Sequence, residues 1–323
     1  MSKIIIGIHG LGNKPSKRVL EKWWKISIKK GLKEIQRPHR RINFKLVYWA
    51  HFLHPTPLKR RIKNKKDPLY IEFPYTPIIQ RNLKEKPSEF RKNMLHYFGD
   101  QLDRIMLNDD LTINFSSISD FIITHFFSDL AKYYTKEAIG QTGSGESAKD
   151  IICSHLADVL KKYRKKKICL IAHSMGSIIA YDVLTEFVPD VKIDTLITIG
   201  SPLGLPVIKS KMASERKNKF IQKVDLNVPE NIVSHWYNLS DLLDKIAFNY
   251  ELGDDYEPNS KNIRVTDKVV INHYAYQGKK NPHKSYGYLQ TPEMAEIIDT
   301  FLSQKEHTLF HRIKNILKKE KTI

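Results

Sequence analysis

Ser174 lies in Ala172-His173-Ser174-Met175-Gly176, with an apolar run on either side. A serine attacks a carbonyl only when its hydroxyl is exposed, a base takes its proton, a third group orients the base, and N–H donors receive the oxyanion. A strained turn from a strand into a helix meets the first need, provided the residues two before and two after the serine are small. Ala172 and Gly176 satisfy that pattern. Small-x-Ser-x-Gly is a weak signal alone, and its bland reading is a small residue at a helix N-cap. The context strengthens it: KKKICLI upstream reads as a buried strand and GSIIAYDVLTEF downstream as a helix.

The remaining needs point to other parts of the chain. IHGLGN (8–13) follows a first apolar strand, and its glycines allow the backbone close approach. The N–H of Leu11 and that of Met175, just after the serine, are the expected oxyanion donors. The acid and base should follow in the order serine, acid, histidine. HWYNLSDLLDKIAF (235–248) is a strand ending in two acids, Asp241 and Asp244, three residues apart. Either could sit past a strand's carboxyl end, and both could face the site if the segment turns helical. His283 falls in a loop ahead of the final helix and is the favoured base. Its rival, His273, suits a packed residue at a strand end.

The elements that must carry these residues read as alternating strands and helices. KIIIGIHG is a buried strand entering a tight turn, 16–35 a helix, and INFKLVYWA (42–50) a second strand, which makes a parallel β-α-β start. The rhythm returns with helix 145–164, strand 168–173, helix 175–187 and strand 193–199. Strands at 232–238 and 263–271 and a helix at 291–303 complete it. Between lies 51–140, with prolines at 55, 57, 68, 74, 77 and 87 and helices expected around 88–108 and 118–139. A structureless loop that long is improbable, so it is read as a partly helical cap inserted over the core. Within it, FIITHFFSDLAKYY (121–134) is expected to pack on the core rather than line a lipid channel. Residues 304–323 read as a basic amphipathic helix or tail, leaving 1–303 as one domain.

Composition excludes several classes. At 323 residues with 41% hydrophobic and 28% charged residues the chain is globular in type, but 54 Lys+Arg against 35 Asp+Glu give a net charge of +19. No signal peptide and no apolar run of about 20 residues is read, so a soluble cytoplasmic protein is expected, peripheral to the inner membrane face at most. The two cysteines, Cys153 and Cys169, read as buried free thiols. GQTGSGES (140–147) mimics a phosphate loop, but Glu146 stands where a lysine must be. There is no His-Glu-x-x-His and no cysteine pair, so no metal is called for. The clusters KRRIKNKK (59–66), KKYRKKK (161–167) and KKEK (318–321) are by default solvated faces. Docking on an anionic membrane is the second reading, and nucleic-acid binding a third that no recognisable module supports.

Taken together, strand-HGxG, AHSMG, the strand end TIGSPLG (198–204), Asn238-x-x-Asp241-x-x-Asp244 and a late NPH resemble the lipase-like α/β-hydrolases. That group includes the small bacterial lipases and the relatives of lecithin–cholesterol acyltransferase and GPI inositol-deacylase. The resemblance covers 1–50 and 145–303; the cap and the basic tail match no part of it. It implies an α/β-hydrolase fold, a mostly parallel sheet flanked by helices, and no cofactor. It also implies Ser174 as nucleophile, His283 as base, and Leu11 and Met175 as oxyanion donors. Asp244 becomes the acid, because DKIA resembles the Asp-x-Val-like step of many lipases, with Asp241 the runner-up. His9 would orient its loop rather than transfer protons. The implied activity is hydrolysis of a small-molecule or lipid ester, or of a thioester, through an acyl-enzyme. A non-catalytic scaffold binding an acidic partner or membrane, and an acyltransferase, are the competing readings.

Overall fold

β-branched residues at alternating parity build the centre of the molecule. In the computed structural model, which describes residues 1–78, 86–93, 128–134, 146–216, 226–247 and 249–304, six parallel strands form one sheet. They are β1 (Lys3–Ile8), β2 (Phe44–Val47), β3 (Lys167–His173), β4 (Ile193–Ile199), β5 (Ile232–Ser240) and β6 (Val265–Val269), in the spatial order β2-β1-β3-β4-β5-β6. The middle strands are buried almost throughout because both faces are covered, as a parallel sheet requires. Ile4, Ile6 and Ile8 point to one core with Ile168, Leu170 and Ala172. Ile5 points to the other with Cys169, Ile171 and Ile197.

Helices seal each face. α1 (Lys17–Glu34) and α8 (Pro292–Ser303) cover the second core, while α4 (Ala148–Tyr163) and α5 (Met175–Asp182) cover the first. Local chemistry fixes their starts. Ser147 and Asp150 form a reciprocal capping box before α4. Thr291 accepts the Met294 amide before α8, whose first turn holds Pro292. A π-helical turn, Val183–Phe187, prolongs α5, so the expected helix 175–187 is two structures in series.

Three short helices were not expected as separate elements: α2 (Ala50–Leu53), α6 (Pro206–Arg216) and α7 (Ser285–Tyr288). α3 (Ser128–Tyr134) falls within the helix expected around 118–139. A small hairpin of β7 (Ala275–Tyr276) and β8 (Lys279–Lys280) precedes α7. The expected strands at 42–50 and 263–271 are shorter here, with β2 ending at Val47 and β6 at Val269. Tyr48 and Trp49 instead enter α2 at the carboxyl end of the sheet.

Of the expected cap, 51–78, 86–93 and 128–134 are described. Residues 79–85, 94–127 and 135–140 lie outside the described residues, as do 305–323 and most of GQTGSGES. Leu130 and Tyr133 of α3 are buried in the first core, so that part of the apolar stretch packs on the sheet domain. Tyr133 donates its hydroxyl to the buried Asp182 at 2.7 Å. In the cluster 59–66 every residue but Ile62 is exposed. Cys153 and Cys169 are free and buried in opposite cores. No helix among the described residues is long and apolar enough to cross a membrane.

The topology decides where a site can form. From β1 the chain crosses to β2 on one side, and β3 then lies on the other side of β1. The crevice at the carboxyl ends of β1 and β3 is therefore the switch point of the sheet, where α/β folds bind ligands.

Gly7 lets Trp24 of α1 and Phe44 of β2 pack closely on β1, since a Cβ there would meet Trp24 at 2.8 Å and Phe44 at 2.9 Å. Both rings are buried. Gly7→Ala should therefore destabilise the domain by about 1–3 kcal/mol through overpacking, read as a lower urea midpoint at unchanged slope.

Candidate active site

Ser174 sits between β3 and α5 with φ 54° and ψ −132°, a left-handed backbone that a non-glycine residue rarely adopts. Its amide donates to Ile199 O of β4 at 3.1 Å, and its carbonyl accepts both the amide (2.8 Å) and the hydroxyl (2.6 Å) of Ser177. The turn closes because its neighbours are small. A Cβ on Gly176 would lie 2.8 Å from the carbonyls of Ile8 and His9, and one on Gly10 would lie 2.5 Å from Ser174 Cβ. The elbow is thus wedged against the carboxyl end of β1.

His283, and not His273, lies within hydrogen-bond distance of the serine: its Nε2 is 3.0 Å from Ser174 Oγ. Its Nδ1 donates to Asp244 at 2.8 Å to Oδ2 and 2.9 Å to Oδ1. Donation at Nδ1 leaves Nε2 with a lone pair for the serine proton. Asp244 is fully buried while the histidine ring keeps a solvent edge, with side-chain exposures of 0% and 29%. Burial pushes the Asp244 carboxyl up. The His283 hydrogen bond and charge, the Tyr288 hydroxyl and the Ile246 amide outweigh it and hold the carboxyl below its ordinary value.

The two acids have separate partners. Asp241 accepts the amides of Leu243 (2.7 Å) and Asn272 (2.6 Å), tying the loop after β5 to the segment after β6. Desolvation raises its pKa. The segment turns at this point, with Asp244 N bonded to Asp241 O at 2.9 Å, but it directs only Asp244 onto His283. Among the two candidates that the spacing left open, Asp244 is the one in the hydrogen-bond chain.

Four supporting residues escaped the sequence reading. Tyr288 OH accepts the Asp241 amide at 3.0 Å and donates to Asp244 Oδ2 at 2.7 Å, so it joins both acids to α7. Gly200, at φ 52°, leaves the space that the pair fills, since a Cβ there would meet Asp244 Oδ2 at 2.7 Å and His283 Nδ1 at 3.1 Å. His173 donates from Nε2 to the His283 carbonyl at 2.8 Å. Asn272 donates to the carbonyls of Pro282 (2.6 Å) and Lys284 (2.9 Å), so the loop that presents His283 is gripped on both sides of it. Only Gly200 had a local signal, as a glycine directly after a buried strand.

The expected oxyanion donors flank the serine. Met175 is the first residue of α5, where an N–H has no intrahelical acceptor. Leu11 follows Gly10, which packs so near Ser174 that a Cβ would not fit between them. The tautomer of His9 sets the peptide between them. Its Nδ1 donates to Gly10 O at 2.8 Å, and its Nε2 accepts the amides of Trp49 (3.1 Å) and Ala50 (3.3 Å). The ring is stacked on Trp49 at 4.9 Å. In a planar trans peptide the N–H points opposite to the carbonyl, so holding Gly10 O aims the Leu11 N–H the other way.

Two comparisons with known proteins bear on this arrangement. Residues 117–247 match the family described as PGAP1-like alpha/beta domain, which is α/β-hydrolase-like and related to lipases. The match covers less than half of the chain; it includes Ser174 and Asp244 but neither Leu11 nor His283. No curated protein matches the chain. The six parallel strands and flanking helices make this an α/β-hydrolase fold.

Burial holds His9 and His173 well below the ordinary imidazole value, with further lowering by Lys14 at His9 and by His283 at His173. Both stay neutral in the folded chain, whereas the unfolded chain takes up protons as the pH falls through about 6.5. The unfolded state then binds more protons, so stability falls on acidification below that point. Chemical unfolding at a series of pH values should give a positive slope of stability with pH there. Each histidine contributes at most about 1.4 kcal/mol per pH unit, and His173→Gln should flatten the slope. An unchanged slope in His173→Gln and His9→Gln would show that neither ring is held neutral.

Proposed function

We propose that this hydrolase-fold protein is a serine ester hydrolase. The observation that carries this reading is the unbroken hydrogen-bond chain Ser174 Oγ, His283 Nε2, His283 Nδ1, Asp244 at 3.0 and 2.8 Å. It runs through residues from the turn after β3, the loop after β5 and the loop before α7, in the order serine, acid, histidine. The elbow strain at Ser174 supports the same reading, because strain in an otherwise regular fold is concentrated at working residues.

In this mechanism Ser174 Oγ attacks the ester carbonyl as its proton passes to His283 Nε2. Asp244 stabilises the imidazolium and fixes the tautomer that began the step. The carbonyl oxygen, now negative, is received by the amides of Leu11 and Met175. Collapse of the tetrahedral intermediate breaks the bond to the alcohol oxygen, which takes the proton from His283. Water then loses a proton to the same nitrogen and attacks the acyl-enzyme, and a second collapse returns the proton to Ser174 and frees the acid. The balance closes with one water consumed. The acyl donor is a small-molecule or lipid carboxylic ester.

The purified chain should react with a fluorophosphonate probe, and peptide mass spectrometry should find the adduct on Ser174. Ser174→Ala and His283→Ala should abolish it. Asp244→Asn should cost about 10⁴-fold in kcat on p-nitrophenyl esters, because the histidine tautomer is lost. Asp241→Asn, which leaves the His283 bonds in place, should cost far less. A wild-type chain that stays unlabelled with and without detergent, where a control hydrolase reacts, would leave a scaffold rather than an enzyme.

A further inference from the structure

The oxyanion loop holds a cation that the hydrolytic reading does not use. Lys14 Nζ donates to Leu11 O and to Gly12 O, the latter at 2.9 Å. Two successive carbonyls therefore converge on one ammonium, directly after Gly10 O has been taken by His9. The backbone can fold this way because Gly12 stands at φ 78°. The backbone of Lys14 is itself anchored. Its carbonyl accepts the Leu58 amide at 2.9 Å and the Tyr48 hydroxyl at 3.4 Å, and its amide donates to Asn13 Oδ1 at 2.8 Å. Asn13 in turn reaches across to Thr56 O at 2.8 Å.

Peptide planarity turns this into a statement about donors. Each carbonyl drawn toward Lys14 directs the following N–H away from it. His9 holds Gly10 O and so sets the Leu11 N–H, while Lys14 holds the next two carbonyls and so sets the Gly12 and Asn13 N–H groups. Leu11 is thus fixed between a peptide held by His9 and one held by Lys14. The charge also reaches the site: Lys14 is among the groups that disfavour protonation of both His9 and His173, the residue just before the serine.

Resting on the hydrolytic reading of Ser174, we propose that Lys14 is a positioning residue of the oxyanion loop. Its ammonium holds the Leu11 and Gly12 carbonyls, so the peptide after Leu11 cannot turn and the Leu11 N–H that His9 sets stays in place. It also adds a positive charge to the loop that carries the Leu11 donor. A donor already oriented costs no reorganisation when the charge appears, which is why such groups act on kcat rather than on substrate binding.

The test uses the full chain and a fluorophosphonate, whose phosphoryl oxygen occupies the oxyanion position and needs no knowledge of the natural substrate. Lys14→Met should slow second-order labelling of Ser174 by roughly 10²-fold, the size of losing one oxyanion donor. On p-nitrophenyl butyrate kcat should fall in parallel, with KM within about threefold of wild type. Lys14→Arg, which keeps charge and donors, should recover most of the loss. Lys17→Met, the same charge change at an exposed neighbour, should label at the wild-type rate. Rates are compared on variants that match the wild-type melting temperature. Should Lys14→Met melt early, Lys14→Gln, which keeps a donor without the charge, takes its place. Equal labelling of wild type and the uncharged variant defeats the role of Lys14, as does a Lys14→Arg variant no faster than that variant. An unlabelled wild type defeats the activation of Ser174 and this proposal with it.

Discussion

The left-handed backbone at Ser174 is the constraint on which the rest of the structure depends. Holding a non-glycine residue there costs about 1–3 kcal/mol, so its surroundings must over-determine it. β3 supplies a rigid approach, α5 a rigid departure, and β4 a carbonyl that receives the serine amide. The strain also dictates composition at a distance. Gly10 and Gly176 are glycines because the elbow is pressed onto the end of β1, where no Cβ would fit. That pressure brings the loop after β1 to the serine, and the crossing of β1 by the chain places both at the sheet's switch point.

Around that point the molecule controls protonation by sorting its histidines. His9 and His173 are buried, each with a fixed tautomer, and both serve as hydrogen-bond braces. His283 alone among the three keeps an exposed edge and faces a carboxylate held ionised. The brace and the working ring are joined, since His173 holds the carbonyl of His283 itself. His283 itself meets the buried acid, the serine hydroxyl and a neutral imidazole, while the basic cluster 59–66 is exposed apart from Ile62.

Much of this was legible in the chain because it is written locally. Runs such as KIIIGI, KICLIAH and IDTLITI are buried on both faces and could only be central strands. The elbow announces itself through small residues at fixed spacing. What stayed ambiguous or unseen is non-local. Spacing could not separate Asp241 from Asp244, because the choice is made by Asn272 and Tyr288, 31 and 47 residues beyond Asp241. Tyr288 and Asn272 act through contacts that no periodicity encodes. α6 was missed because it begins just past a glycine-proline-rich strand end and its charged residues break the apolar stripe, although Lys209 is buried against Asp255.

The distribution of the site along the chain has a mechanical consequence. Ser174 and Asp244 follow neighbouring strands of one continuous stretch of sheet, β3 to β5, whereas His283 and the loop after β1 come from the two ends of the described chain. Those ends meet because α1 packs against α7 and α8, with Gly31 so close to Leu289 and Gln290 that a Cβ would come within 3.2 Å of their backbone. α1 begins just after the loop that follows β1, and α7 just after His283, so this helix contact adds to the wedge of Gly10 on Ser174 and to the grip of His173 and Asn272 on the His283 loop. The geometry of the site therefore rests on the closing of the first helix against the last two as well as on the central strands.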